Sequence, residues 1–518
     1  MLAVNQLTST VRADLLAWLK KELRHGEAAR GVGGEKGTPG TKWATFVPLS
    51  VALLLRLYPY LYSGEPFTTV SWLNIYMTDL LLKGKVPLST LLLYHETLGS
   101  EFFSALFSRV TALPPIAFEP VLIPAISSLS VVAVYLMARD LGAKPAFLSS
   151  TFLALFYGEA LIDGAVKNAV YGEPLFLIAL WLAMKRGFSN RDAVLLSLVS
   201  LSLVPIYVYF TGFIALLVLF IALHDRDWRK LAAAVLPVFA VAPLAQDYLS
   251  VLITPLGVLL IASYFAYYFL VSYLLRFRVG GFVTSGIALA VTLAFLFVRP
   301  PYYVTFPYYL LPLTVPYIVG FHFLHERKDV HAVLLLSSVL FLLLVSVVVS
   351  LPIGFYIAFR LLDYLVIPLA LLFGQGASGS RWGELALVLL LVPNLYAVFI
   401  TVNLQMLYTG GQVEVYTQPE YFAAYFVTHY NAMAEVSADV KYQFLFQYFG
   451  SSVDRYSAYY YLLGKSPPPA LFLLGNTRYY QLGYNEAVPE ILSPDFWRML
   501  DNVSVLFTDG AVSLYSGV

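Results

Sequence analysis

The chain of 518 residues contains no cysteine. Disulfides, thiolate metal sites and cysteine nucleophiles are therefore excluded. Charge is almost as scarce. Charged residues make up 12% of the chain, about half the fraction of an average soluble domain. The net charge of +1 supplies no field to gather nucleic acid or acidic substrates. What fills the chain instead is apolar: 59% hydrophobic residues and a mean hydropathy of +0.74. Most of it has no water-facing side, which reads as an all-α polytopic membrane protein.

A spanning helix needs roughly 20 apolar residues, within a range of about 17–25. Runs of this kind lie near 44–62, 116–138, 145–162, 170–184, 193–204, 211–223, 231–245, 251–274, 281–298, 306–324, 330–350, 356–374 and 384–402. That is about 13 transmembrane helices, several of them short. Pro205 and the aromatic cluster Tyr207, Tyr209 and Phe210 divide the long run 193–223 into two.

The distribution of basic residues orients the layout. With the N-terminus in the cytoplasm, the inner loops hold Arg139 and Lys144; Lys185, Arg186 and Arg191; Arg226, Arg229 and Lys230; Arg276 and Arg278; Arg327 and Lys328; and Arg381. The outer loops hold Lys83, Lys85, Arg109, Lys167, Arg299 and Arg360. The expected protein is a multi-pass cell-membrane protein in three parts. Residues 1–43 form a cytoplasmic arm, because this polar, glycine-rich stretch lacks the early apolar core of a signal peptide. Residues 44–402 form the membrane domain, with a large first outer loop at 63–115. Residues 403–518 form a small α+β extracytoplasmic domain rich in tyrosine. In it, helices are expected near 419–433 and 437–449, strands near Leu471–Leu474 and Val503–Phe507, and a hairpin at Asp509-Gly510 leading into Val512–Tyr515, since Asp-Gly between apolar runs favours a tight turn.

Ionisable groups near membrane depth are costly and mark function; here they gather on the outer side. Glu65, Asp79, His95, Glu96 and Glu101 fall in the first outer loop. Asp163, Lys167, Asn168, Tyr171 and Glu173 fall in or beside the second. Arg56, Arg299 and Arg360 stand near outer helix ends. Arginines grip phosphate in a bidentate way, and a carboxylate can take a proton from an acceptor hydroxyl. Plainer roles stand beside these. Glu65 before Pro66 suits a solvated loop, Asp79 and Lys83 have the spacing of a helical ion pair, and arginines at helix ends snorkel to the interface. His95-Glu96 lacks the second histidine of a zinc protease helix. Asp225-Arg226-Asp227 has the form of a metal-binding Asp-x-Asp but falls in an inner loop. Asn502-Val503-Ser504 is a short glycosylation sequon of the kind that arises by chance.

Three stretches resemble the GT-C superfamily of integral membrane glycosyltransferases, archaeal members in particular. They are Arg56-Leu57-Tyr58-Pro59 with Gly64-Glu65-Pro66-Phe67-Thr68-Thr69-Val70-Ser71-Trp72; Val166-Lys167-Asn168-Ala169-Val170-Tyr171-Gly172-Glu173-Pro174; and Arg360 followed by an apolar span with Pro368. The resemblance implies transfer of a sugar from a polyprenyl-phosphate-linked donor to a glycan, lipid or protein acceptor outside the cytoplasm, with an acid of the first outer loop as base. Glu65 or Asp79 would be that base, and Arg56, Lys167, Tyr171, Glu173, Arg299 and Arg360 would meet substrate. The oligosaccharyltransferase branch also needs a divalent metal, but there is no outer Asp-x-Asp and none is expected here. Val70 stands where the resemblance leads one to expect the first-loop aspartate, and Asn168 where the second loop often carries Glu. A valine cannot be a base, so either the acid has moved or the chain is a non-catalytic subunit serving a membrane partner. A transporter would instead carry its ionisable residues at mid-depth in broken helices.

Overall fold

The computed structural model describes residues 43–85, 99–156, 160, 163–241, 255–276, 330–350, 356–379, 383–403, 415–430, 435–475, 497–508, 510 and 512–517. The expected spans 281–298 and 306–324, together with His95, Glu96 and Arg299, lie outside these residues.

Helix α1 (Trp43–Ser63) leads into the stretch 63–115, the expected first outer loop. There α2 (Thr69–Leu82) and α3 (Gly99–Thr111) follow. The helical body continues with α4 (Pro115–Ser127), α5 (Ser130–Arg139), α6 (Ala143–Leu155), α7 (Asn168–Met184), α8 (Asn190–Ile206), α9 (Val208–Asp225) and α10 (Trp228–Val241). It closes with α11 (Pro255–Arg276), α12 (Val330–Ser350), α13 (Tyr356–Ser378) and α14 (Gly383–Asn403). Among the described residues, Thr45–Ser63 and Pro115–Arg139 are long and apolar enough to cross a membrane, and Asn168–Met184, Phe210–Asp225, Val330–Leu343 and Tyr364–Ser378 are shorter apolar helices.

Most of these helices have little polar face, while α3 and α10 are the more amphipathic ones. Ridge-into-groove packing joins α6 to α13, α12 to α13, α7 to α8, and α10 to both α8 and α9. The α6–α13 crossing depends on a glycine. A methyl placed on Gly374 would stand 2.0 Å from Ser149 Oγ and 2.5 Å from the backbone oxygen of Pro145. Gly374→Ala is therefore expected to destabilise the protein by about 1–3 kcal/mol, the usual range for overpacking, read as a lower melting temperature in detergent.

After α14 the chain forms a mixed α/β unit. It comprises α15 (Gln418–Tyr430), β1 (Val436–Ala438), α16 (Val440–Phe449), β2 (Val453–Asp454), α17 (Ser457–Leu462), β3 (Leu471–Gly475), α18 (Trp497–Leu500), β4 (Ser504–Thr508) and β5 (Val512–Ser516). The sheet order is β2-β1-β3-β5-β4. β1 runs parallel to β2 and β3, while β5 runs antiparallel to β3 and β4. The pairings Leu473↔Leu514 and Phe472↔Tyr515 set its central register. One face packs on α15 and α16 through Ala424, Tyr442, Leu445 and Leu473. Trp72 of α2 is fully buried in the same core, so the first outer loop and the C-terminal unit share a hydrophobic centre.

Candidate active site

The first outer loop turns sharply out of α1. Gly64 adopts φ +76°, which only glycine takes without strain, and its N–H donates to Tyr60 O at 2.7 Å. Glu65 follows. Thr68 then takes φ +79°, a costly conformation for a β-branched residue and of the kind stored at functional sites. Its hydroxyl accepts from Ser71 N at 3.3 Å and so caps α2.

The second outer loop, 163–168, is tied to this region at three points. Arg56 Nε donates to Asp163 Oδ2 at 2.7 Å, and both side chains are buried. Val166 is clamped on both backbone groups: its N–H donates to Ser71 Oγ at 2.8 Å, and its carbonyl accepts from Asn74 Nδ2 at 2.6 Å. Ser100 Oγ donates to Asn168 Oδ1 at 2.5 Å. Lys167, between the last two anchors, is half-buried, and its ammonium forms no ion pair with a described residue. An ammonium held at a fixed point beside the first loop is suited to a phosphate.

Glu65 is buried at 8% exposure. Burial, and secondarily the charge of Glu420, push its carboxyl up to about 7. Glu420 belongs to the start of α15. Its Oε2 accepts from Thr417 N at 2.7 Å and Thr417 Oγ1 at 3.0 Å, and its Oε1 accepts from Lys441 Nζ at 2.6 Å and Tyr442 Oη at 2.7 Å. Four donors fix it as the charged neighbour. Tyr421 is raised by burial and then by the charge of Glu65. Tyr448 of α16 is pushed up to about 12 by burial, then by Tyr421, Asp79, Glu119 and Glu65. One phenol thus senses three carboxyls from different elements. Trp72 lies edge-on to Tyr448 at 5.6 Å and tilted to Tyr421 at 6.0 Å, so aromatic rings gather in the same region. A buried carboxyl held near neutrality can take and release a proton.

The remaining sequence candidates are placed as follows. Asp79 pairs with Lys83 at the surface while facing Tyr448. Tyr171 Oη bonds the Ser104 hydroxyl in a buried contact. Glu173 is buried on α7. Arg360 lies in the first turns of α13, and Arg299 is outside the described residues. Asp225 and Asp227 are matched to Lys230 and Arg229. Sequence reasoning passed over Glu119, Glu420, Tyr421 and Tyr448. Glu119, 1% exposed on α4, was visible in principle as an acid within the apolar run 116–138. Among the described residues no set of three or more His, Asp or Glu converges as metal ligands.

No family model and no curated protein matches the chain. Solved structures do. The oligosaccharyltransferase of Archaeoglobus fulgidus aligns in its apo form at a TM-score of 0.51 and 11% identity, over 92% of this chain and 74% of that one. The same enzyme tethered to an acceptor peptide containing an NVT sequon aligns at 0.51 and 10% identity, with the same coverage. The fold is shared with this oligosaccharyltransferase. ArnT of Cupriavidus metallidurans, bound to undecaprenyl phosphate, shows a looser likeness at 0.41 and 11% identity, over 93% of this chain and 99% of that one. Glu65, Asp79 and Glu119 gather around Tyr448, where the first loop packs on the C-terminal unit through Trp72.

Proposed function

We propose that the chain is a membrane glycosyltransferase that moves a sugar from a polyprenyl-phosphate-linked donor to an acceptor on the extracytoplasmic side. The observation that carries this reading is Glu65, a buried carboxyl at about 7 in a chain that shares its fold with an oligosaccharyltransferase. In the proposed step the Glu65 carboxylate takes the proton of an acceptor hydroxyl as that oxygen bonds to the anomeric carbon. The bond from that carbon to the carrier phosphate breaks, and the phosphate leaves with the electron pair. Lys167 holds the charge it carries away. Arg299 and Arg360 remain proposed donor contacts, and Arg56, through Asp163, keeps the second loop in place. The family's first-loop acid is then supplied by Glu65 rather than at Val70.

The test is transfer of labelled sugar from extracted polyprenyl-phosphate donors by the purified protein. Lys167→Gln is expected to raise KM for the donor about tenfold, the worth of one charge-assisted contact, with a smaller change in kcat. A folded protein that binds lipid phosphate yet transfers no sugar from any donor pool would replace this reading with the non-catalytic subunit.

A further inference from the structure

The helix α7 that carries Tyr171 and Glu173 is 17 residues long, so its far end lies about 25 Å from the candidate active site. A cleft opens there between the ends of α5 and α7 and the start of α12. It encloses about 390 Å³ including its mouth. Leu136, Met137, Leu141, Trp181 and Met184 make an apolar wall, and Lys185, Arg186, His331 and Asp140 make a polar rim.

The rim is organised for an anion. Lys185 Nζ lies 4.3 Å from the Trp181 ring centroid and 3.0 Å from Asp192 Oδ1, which holds it at the border of apolar wall and water. His331 Nε2 stands 2.9 Å from Asp225 Oδ1. Lys230 Nζ, 1% exposed, donates to Lys185 O at 2.9 Å and fixes the turn that carries Arg186. Asp192, Asp225 and Asp227 are each already matched to a cation. Asp140 on the rim offsets one further charge, but eight basic residues against four acids in 139–144, 185–192 and 225–230 leave a positive surplus at this end. Arg186, Arg191 and Arg226 form no ion pair with a described residue, and Arg186 alone of these three lines the cleft.

We propose that this cleft binds an anionic phospholipid, with the headgroup phosphate on Arg186 and Lys185 and the glycerol and upper acyl chain along Leu136, Met137 and Trp181. The apolar wall distinguishes a lipid from free phosphate, and Arg186, the cleft's cation with no described ion-pair partner, together with the positive surplus at this end favours an anionic headgroup over a zwitterionic one. The proposal does not depend on the transferase reading. It assigns the far end of the helical body a ligand that the candidate active site has no part in.

The test uses the full chain, delipidated in detergent and titrated with phosphatidylglycerol, phosphatidylcholine or glycerol 3-phosphate, with bound lipid counted by native mass spectrometry. Phosphatidylglycerol is expected to fill one saturable site, and Arg186→Gln to weaken it about tenfold. Arg186 is exposed, so the variant should keep the wild-type melting temperature. Arg191→Gln, a surplus charge outside the cleft, should bind as the wild type does. Equal binding by wild type and Arg186→Gln, equal losses in Arg186→Gln and Arg191→Gln, or equal binding of phosphatidylcholine would overturn the proposal. Displacement of phosphatidylglycerol by equimolar glycerol 3-phosphate would overturn it too, in favour of a site for free phosphate.

Discussion

Glu65→Gln is expected to lower kcat for sugar transfer by about 10²–10⁴, the usual contribution of a positioned base, while leaving donor binding nearly intact. The wild-type rate should also depend on pH in a defined way. Because burial and Glu420 hold the Glu65 carboxyl near 7, the base form accumulates only as pH climbs through 7. The kcat/KM profile should rise there and level off, and the variant's residual rate should lose that limb. Glu420→Gln removes the secondary cause and should slide the limb to lower pH. Stability runs the other way. A carboxyl raised from 4.5 to about 7 on folding is neutral in both states below 4.5. Between 4.5 and 7 the unfolded chain ionises more readily, so stability falls across that window and is constant above it. Glu65→Gln escapes this penalty and should melt no lower than the wild type at pH 8. A residue that merely held the loop would lose stability along with activity, so the two readouts together separate a base from a brace.

How far this site was legible depends on whether its determinants are local. The apolar runs that became α1, α7 and α12 each carry few ionisable residues, and such patterning survives without tertiary information. The Asp509-Gly510 signal falls between β4 and β5, which do pair antiparallel. The two-residue and three-residue strands β2 and β1 have no pattern to detect, because β1 is placed by pairing with β3, and β2 by pairing with β1, rather than by their own sequence. Glu65, Lys167, Tyr171 and Asp163 stood out by residue type and loop position. Their partners did not. Ser71 and Asn74 clamp Val166 across more than ninety residues, and nothing in a polar pair one helical turn apart announces its target. Glu420 reads locally as the acid of a capping arrangement with Thr417. Only the fold shows that the same carboxylate also sets the charge on Glu65. Tyr421 and Tyr448 were hidden among the 38 tyrosines of the chain, where composition cannot separate a ring beside these carboxyls from an interface belt.

The second large effect belongs to the pair that holds the second loop. Arg56 and Asp163 are 107 residues apart, joined at 2.7 Å, and exposed by 0% and 2%; Ser127 Oγ adds a bond to the backbone oxygen of Asp163 at 3.3 Å. Removing one partner leaves a buried charge without its counterion, which destabilises by about 3–5 kcal/mol. Arg56→Met and Asp163→Asn are each expected to do so, read from denaturation in detergent, and to lower transfer because Lys167 is displaced with the loop. The double variant should recover much of the stability, since neither charge remains to be desolvated, and the coupling between the two substitutions should be of the same size as the single losses. A direct grip of Arg56 on the donor phosphate makes the opposite prediction for Asp163→Asn. The guanidinium would then be released toward substrate, and KM for the donor would fall. A rise in KM in both single variants, with partial recovery in the double, identifies Arg56 as a positioning residue. It acts through Asp163 to hold the loop that carries Lys167.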